Sequence, residues 1–274
     1  MKAVIRDIKQ GIAQVMPPAI YFPFANAKNT VQGRCQRVRP MSDGLVEVFD
    51  GQQTICISQR IRHTRYKRGI ATWTDFLASQ YNLNKLQVRP GGVFIDCGAN
   101  VGELGYWARS KQLQYHAFEP ETREANCCDL NNFGGQPGTN RMGLWYESTE
   151  LKFYSKPESA DSSFIEIADY HQVKTIKVTT LDQYVREKGI QSIEVFKVEA
   201  EGAEPEVLQG ARQTLPLCRF VTVDCGRERG IEAQDTVRDV CNVMYQYGFR
   251  MAESDMIRLS LLFENRAQAE RLAA

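Results

Sequence analysis

Residues Gly91 to Gly105 read GGVFIDCGANVGELG, and no other stretch constrains the fold as tightly. Val93 to Ile95 and then Cys97 form a short apolar run suited to a strand buried on both faces, with Asp96 near its end. The run passes into Gly98, Asn100 and Gly102, then into Leu104-Gly105-Tyr106-Trp107-Ala108, which has helical character. Glycine lets the backbone take positive φ and leaves room for a ligand against the main chain. Unsatisfied N–H groups at the start of a helix then face that ligand. The order strand, glycine turn, helix predicts a nucleotide-binding loop. A merely tight turn is the alternative, because many strand-to-helix connections carry glycine.

Glu119, in YHAFEPE, sharpens the reading. Tyr115 to Phe118 suit a second parallel strand, and a carboxylate at its carboxyl end can accept hydrogen bonds from both hydroxyls of a ribose. The two signals together predict a Rossmann-like site for an adenosine cofactor. The loop reads G-A-N-V-G rather than G-x-G-x-x-G, which favours S-adenosylmethionine, a cofactor without phosphate, over a dinucleotide.

A chain of 274 residues can bury one sizeable core with a small appendage. With 34 basic and 33 acidic residues, its formal charge of +1 gives no reason to expect nucleic acid as a partner. No apolar run is long enough for a membrane span, and the start of the chain lacks a cleavable leader pattern. The cysteines (Cys35, Cys56, Cys97, Cys127, Cys128, Cys218, Cys225, Cys241) form no C-x-x-C pair, so buried reduced thiols and a cytoplasmic location are expected.

Met1 to Val15 shows an amphipathic helical stripe closed by Pro17-Pro18. LVEVFD and QQTICIS alternate around Asp50-Gly51, a hairpin signal. The basic run Arg60 to Arg68 reads either as a solvated edge or as a wall for an acidic or polyhydroxylated substrate. Thr74 to Tyr81 and Glu121 to Asn131 have helical composition. Asn140 to Tyr146, Glu150 to Tyr154 and Thr175 to Val178 suit strands, and Thr180 is placed to cap the next helix. Ser155 to Ser163 is polar and turn-rich, suited to a flap. Ile193 to Val198 is a strand leading through Glu199-Ala200-Glu201-Gly202-Ala203-Glu204 into a helix over Pro205 to Thr214. Arg219 to Asp224 is a strand, Thr236 to Tyr247 a helix, and Gly248 to Arg250 with Ile257 to Phe263 close as an antiparallel pair. A charged, alanine-rich tail from Asn265 onward suits a frayed helix. The alternation predicts a doubly wound α/β sheet over residues 89–274, preceded by a helix-and-hairpin cap over residues 1–88.

At this point the chain resembles the FkbM-type methyltransferases. The resemblance runs over Val93 to Asp224 and is carried by IDCGANVGELG, AFEPE, GLWYESTELKFY, TLDQYV and FKVEAEGAEPEVLQGA. The last is the most specific, close to a family pattern K-V-D-V-E-G-A-E. Lys197, Glu201, Gly202, Ala203, Glu204, Leu208 and Gly210 match; Glu199 replaces the usual aspartate, and Asp224 the usual glutamate on the next strand. The resemblance implies a Rossmann-like, seven-stranded, mostly parallel sheet of the class I methyltransferase type. It implies that Asp96, Gly98, Asn100 and Gly102 line the methionine end of the cofactor, Glu119 its ribose, and Gly143 and Leu144 its adenine. It also implies an acceptor hydroxyl on a sugar, a glycan or a hydroxylated natural product.

Methyl transfer to oxygen needs alignment and removal of the acceptor proton. Glu199 and Glu201 are the candidates for that work, with Lys197 to fix a carboxylate or lower its pKa. Ser162, Ser163, Glu204 and His63 are candidates for substrate contact, and His63 and His171 for alternative bases; His116 lies within a strand. The competing reading has Glu201 and Glu204 favouring the positive end of the following helix. Carboxylates suit magnesium or calcium, but a metal-free site is the favoured reading. Methylation of nitrogen, or cofactor binding without catalysis, are the alternatives.

Overall fold

The computed structural model describes residues 15–41, 43–156 and 162–267. The amphipathic stripe up to residue 14, the middle of the polar Ser155–Ser163 stretch and the tail beyond residue 267 lie outside the described residues.

The first helix bounded among the described residues is α1, Pro18–Val31, for which Pro18 supplies the preset φ of a first turn. A three-stranded antiparallel sheet follows, β1 (Arg37–Pro40), β2 (Val46–Phe49) and β3 (Thr54–Ile57). The hairpin falls at Asp50-Gly51. Asp50 Oδ1 accepts from the N–H groups of Gln52 and Gln53, and Oδ2 from that of Ile70, so one side chain shapes the turn and starts helix α2, Ile70–Gln80. Strand β1 and helix α1 had no signal of their own in the sequence.

Then come β4 (Val93–Cys97), α3 (Glu103–Ser110), β5 (Gln114–Phe118), α4 (Thr122–Asn132), β6 (Gly143–Leu144), β7 (Thr149–Ser155), β8 (Gln172–Thr179), α5 (Leu181–Lys188), β9 (Ile193–Val198), α6 (Glu204–Gln209), β10 (Cys218–Asp224), α7 (Val237–Gln246), β11 (Phe249–Asp255) and β12 (Ser260–Asn265). The central sheet has the order β11-β12-β10-β9-β4-β5. Strands β5, β4, β9 and β10 run parallel, and β12 pairs antiparallel with both β10 and β11. The fold is α/β with a mixed sheet, as expected; among the described residues this sheet has six strands, where the resemblance implies seven. Beyond β5, among the described residues, only Asn140 bridges to Phe118. Its side-chain amide and its backbone N–H both donate to the carbonyl of Ala117. The chain then turns away, and β6 joins a separate sheet of order β6-β8-β7.

Every residue of β9 is buried, including Glu194 and Lys197. A charge is tolerated there only when paired, and both are: Glu194 with Arg89 and Arg219, Lys197 with Asp96 and Glu199. Ile95, Phe118, Phe196, Val198, Val221 and Leu261 belong to the main core cluster. A second cluster joins Val38, Val48, Ile55 and Tyr66 of the N-terminal elements to Val101 and Cys127, fixing the cap beside the glycine turn. The cysteines are free; Cys56 and Cys127 lie with their sulfurs 3.5 Å apart across that junction.

Thr180 caps α5, its Oγ1 accepting from the N–H of Gln183 at 3.0 Å. Thr180→Ala is expected to cost about 1 kcal/mol, read as a drop of roughly 2–4 °C in Tm; an unchanged melting curve would show that the cap contributes nothing.

Candidate active site

In an open α/β sheet, ligands bind outside the carboxyl ends of the strands where the strand order reverses. Here that point lies between β4 and β9, with β4 leading to β5 on one side and β9 on the other. Glu119 follows β5 directly, and its Oε2 accepts from the N–H of Asn100 while Oε1 accepts from that of Glu121, both at 2.8 Å. The glycine turn and the acidic residue therefore form one unit. Burial is the largest influence on Glu119 and pushes its pKa up to about 8, against the two backbone donors.

Packing requires the glycines of the turn. A side chain at Gly98, which has φ +75°, would meet the carbonyl oxygen of Glu199 at 2.1 Å. At Gly102, φ +78°, it would run into Asn132 and Cys128 of α4. Asn100 also takes a positive φ of 51°. Its Oδ1 accepts from the N–H of Val101 and from Arg62, so the loop is held on all sides.

Lys197 is the second node. Its Nζ lies 3.0 Å from Asp96 Oδ1 and 3.1 Å from Glu199 Oε2, and it donates to the carbonyls of Cys97 and Gly98. Burial alone would lower the lysine's pKa, but Asp96 and Glu199 reverse that and hold it above its ordinary value. Burial would raise Glu199; Lys197 and Arg258 outweigh it, so Glu199 sits below the ordinary carboxylate range. Asp96 ends above that range because burial outweighs Lys197 and the Tyr115 hydroxyl, which donates to its Oδ2.

One cavity of about 360 Å³ gathers these parts. Asp96, Gly98, Asn100, Glu119, Gly143, Leu144, Ser162, Lys197, Glu199 and Glu201 all line it. The remaining candidates lie elsewhere. Gly102 faces α4, as described above. Ser163 is buried and donates to the carbonyl of Glu201. Glu204 is buried, accepting from the N–H groups of Ala200 and Gly202 and from the Thr236 hydroxyl, which is loop and helix-end work. His63 is packed in the cap, edge-on to Tyr21 and beside Gln36, and burial lowers its pKa to about 4. His116 meets the Tyr184 hydroxyl, and His171 is exposed before β8. The basic run divides. Arg62 is buried against Asn100, whereas Arg65 lines the cavity with its guanidinium 5.5 Å from the Trp73 ring.

Several lining residues carried no sequence signal: Trp73, Phe76 and Tyr81 from α2 and its end, Phe164, Glu228 after β10, and Arg258 between β11 and β12. Arg258 donates to Glu199 at 2.8 Å, to Asp224 at 2.5 Å and to the Tyr81 hydroxyl at 3.1 Å. Among the described residues, no cluster of three or more histidine, cysteine or carboxylate side chains is arranged to hold a metal.

Residues 96–251 match the methyltransferase FkbM domain family. The chain is 22% identical over 210 residues to the 2-O-methyltransferase NoeI of Sinorhizobium fredii, covering 69% of this chain and 85% of that one. It is 29% identical over 154 residues to the hexuronic acid methyltransferase AglP of Haloferax volcanii, covering 53% of this chain and 60% of that one. To the 31-O-demethyl-FK506 methyltransferase FkbM of Streptomyces tacrolimicus it is 23% identical over 164 residues, 47% of this chain and 63% of the relative. Among solved structures, magnesium protoporphyrin IX methyltransferase from Synechocystis PCC 6803 with bound SAM aligns at a TM-score of 0.40 and 12% identity, covering 79% of this chain and 85% of the other.

Proposed function

The chain belongs to the FkbM-domain methyltransferases, which draw their methyl group from S-adenosylmethionine, and on that premise we propose that it methylates a hydroxyl group of a sugar, a glycan or a hydroxylated natural product. The observation that carries the reading is the single cavity in which Glu119 and the glycine turn meet Glu199, Glu201, Trp73, Phe76 and Phe164.

The residues present fit the cofactor. A ribose offers two hydroxyl donors, and each oxygen of the buried Glu119 carboxylate, already holding one backbone N–H, keeps a second lone pair. Met142, Gly143 and Leu144 give an apolar flank for a base, and Asp96 with Asn100 a polar one for an amino acid. When bound, S-adenosylmethionine supplies an electrophilic methyl group on a positively charged sulfur. The chain's own work is to bind, orient and accept a proton. Aromatic faces cover the apolar side of a sugar ring while carboxylates accept from its hydroxyls. Glu199, held by Lys197 and Arg258, suits an orienting acceptor better than a base. Two relatives, a 2-O-methyltransferase and a hexuronic acid methyltransferase, agree with an acceptor of this class.

The test is transfer of labelled methyl from S-adenosylmethionine to panels of neutral glycosides, amino sugars, hexuronates and hydroxylated natural products. Label is expected on oxygen. Label on nitrogen, or transfer to protein or nucleic acid in place of these acceptors, would overturn the proposal.

A further inference from the structure

The carboxylates around the cavity are not held alike. Glu199 is bound by Lys197 and Arg258, Asp224 by Arg258, and Glu121 by Lys174. Glu228 differs: among the described residues no cation pairs with it, and its Oε2 is buried without a hydrogen-bond partner. It stands on the turn after β10, where its own N–H donates to the Gly226 carbonyl, and it lines the cavity. A buried acceptor left without a donor costs free energy that an incoming O–H recovers.

We propose that Glu228 is the catalytic base, taking the proton of the acceptor hydroxyl. The inference rests on the O-methyl-transfer reading above. As the acceptor oxygen forms its bond to the methyl carbon, the carbon–sulfur bond breaks and leaves a neutral thioether. The hydroxyl proton passes to the Glu228 carboxylate. One positive charge on sulfur is lost and one negative charge on the protein is neutralised, so the step balances without any other reactant.

The surroundings set its basicity. Facing Glu228 are Asp224 of β10, Glu199 at the end of β9, Glu204 of α6, and Glu201, its hydrogen-bonding neighbour. The nearby cations are committed: Lys197 to Asp96 and Glu199, Arg258 to Glu199 and Asp224, and Arg229 to Glu206. Burial first, then Asp224, Glu199 and Glu204, push its pKa up to about 8. That makes it a stronger base than Glu199, whose cations hold it low. General-base catalysis is most effective with a pKa near the working pH.

The experiment measures kcat against pH at saturating cofactor and acceptor, with cofactor affinity followed separately by calorimetry. In the wild type, kcat is expected to rise through a limb near pH 8. Glu228→Gln is expected to lose about 100-fold in kcat and to lose the limb, with cofactor affinity unchanged; Glu228→Asp, should the amide variant fold poorly, keeps the limb at reduced rate. An active wild type whose Glu228→Gln variant keeps its rate, or loses rate with the limb in place, overturns the base assignment alone. A wild type that binds cofactor but methylates no hydroxyl overturns the O-methyl-transfer reading and the base with it.

Discussion

Lys197→Met is expected to destabilise the protein by about 3–5 kcal/mol, seen as a fall in Tm of roughly 10 °C or more. Methionine keeps most of the stem's volume, so the change isolates the charge. What it leaves behind is costly. Asp96 loses its cation inside the sheet, Glu199 keeps only Arg258, and the carbonyls of Cys97 and Gly98 lose a donor. Adding Asp96→Asn to Lys197→Met is expected to recover part of the loss, because the buried charge is then gone. The deficit also depends on pH. Burial already holds Asp96 above the ordinary carboxylate range, and removing the lysine raises it further. A group raised in the folded state favours folding at low pH and loses that contribution as pH rises through its folded pKa. The gap between variant and wild type therefore narrows as pH falls. Chemical denaturation at two pH values measures it; a loss under about 1 kcal/mol would mean that the pair behaves as a surface ion pair.

What the sequence made legible was local. Asp96, Gly98, Asn100 and Glu119 lie on two adjacent parallel strands and the turns after them, so a short pattern brings them together. Lys197 and Glu199 were nominated by one strand for the same reason. Arg258 could not be found that way, because a strand over Ile257 to Phe263 says nothing of its partners until β12 pairs with β10 and carries Arg258 to Asp224. Tyr81 and Glu228 likewise depend on long-range packing. The reverse error befell His63. A run of basic residues looks exposed, but residues 60–66 wind into a 3₁₀ turn that tucks Arg62 and His63 inward and leaves Arg65 at the cavity. Among the described residues the sheet stops at six strands because the chain makes one bridge, Asn140 to Phe118, and then turns into the β6-β8-β7 sheet. Glu204 bonding the loop that precedes its own helix accords with the helix-end reading, which acidic charge at the positive end of that helix had offered as the competing one.

Glu119→Gln is expected to weaken S-adenosylmethionine binding by about 100-fold, since hydrogen bonds to a charged group contribute about 1.5–3 kcal/mol each and the amide retains one acceptor oxygen of two. The amide also turns donors toward a region already supplied by the N–H groups of Asn100 or Glu121. Titration separates this role from simple shape. With its pKa pushed up by burial to about 8, Glu119 is mostly protonated at neutral pH in the free protein. Hydroxyl donors favour the carboxylate, so binding expels the proton. Affinity in the wild type then falls about tenfold for each pH unit below that value and levels off above it, and the binding heat varies with the buffer that takes up the proton. The same raised pKa sets the stability of the free protein in the opposite sense: the contribution of Glu119 is present at low pH and fades as pH rises through about 8. Cofactor protection against thermal unfolding should therefore grow across the same interval. In Glu119→Gln both trends flatten. Calorimetry in two buffers decides it, and a wild-type affinity that ignores pH, or a glutamine variant that binds as tightly, would remove Glu119 from the cofactor site.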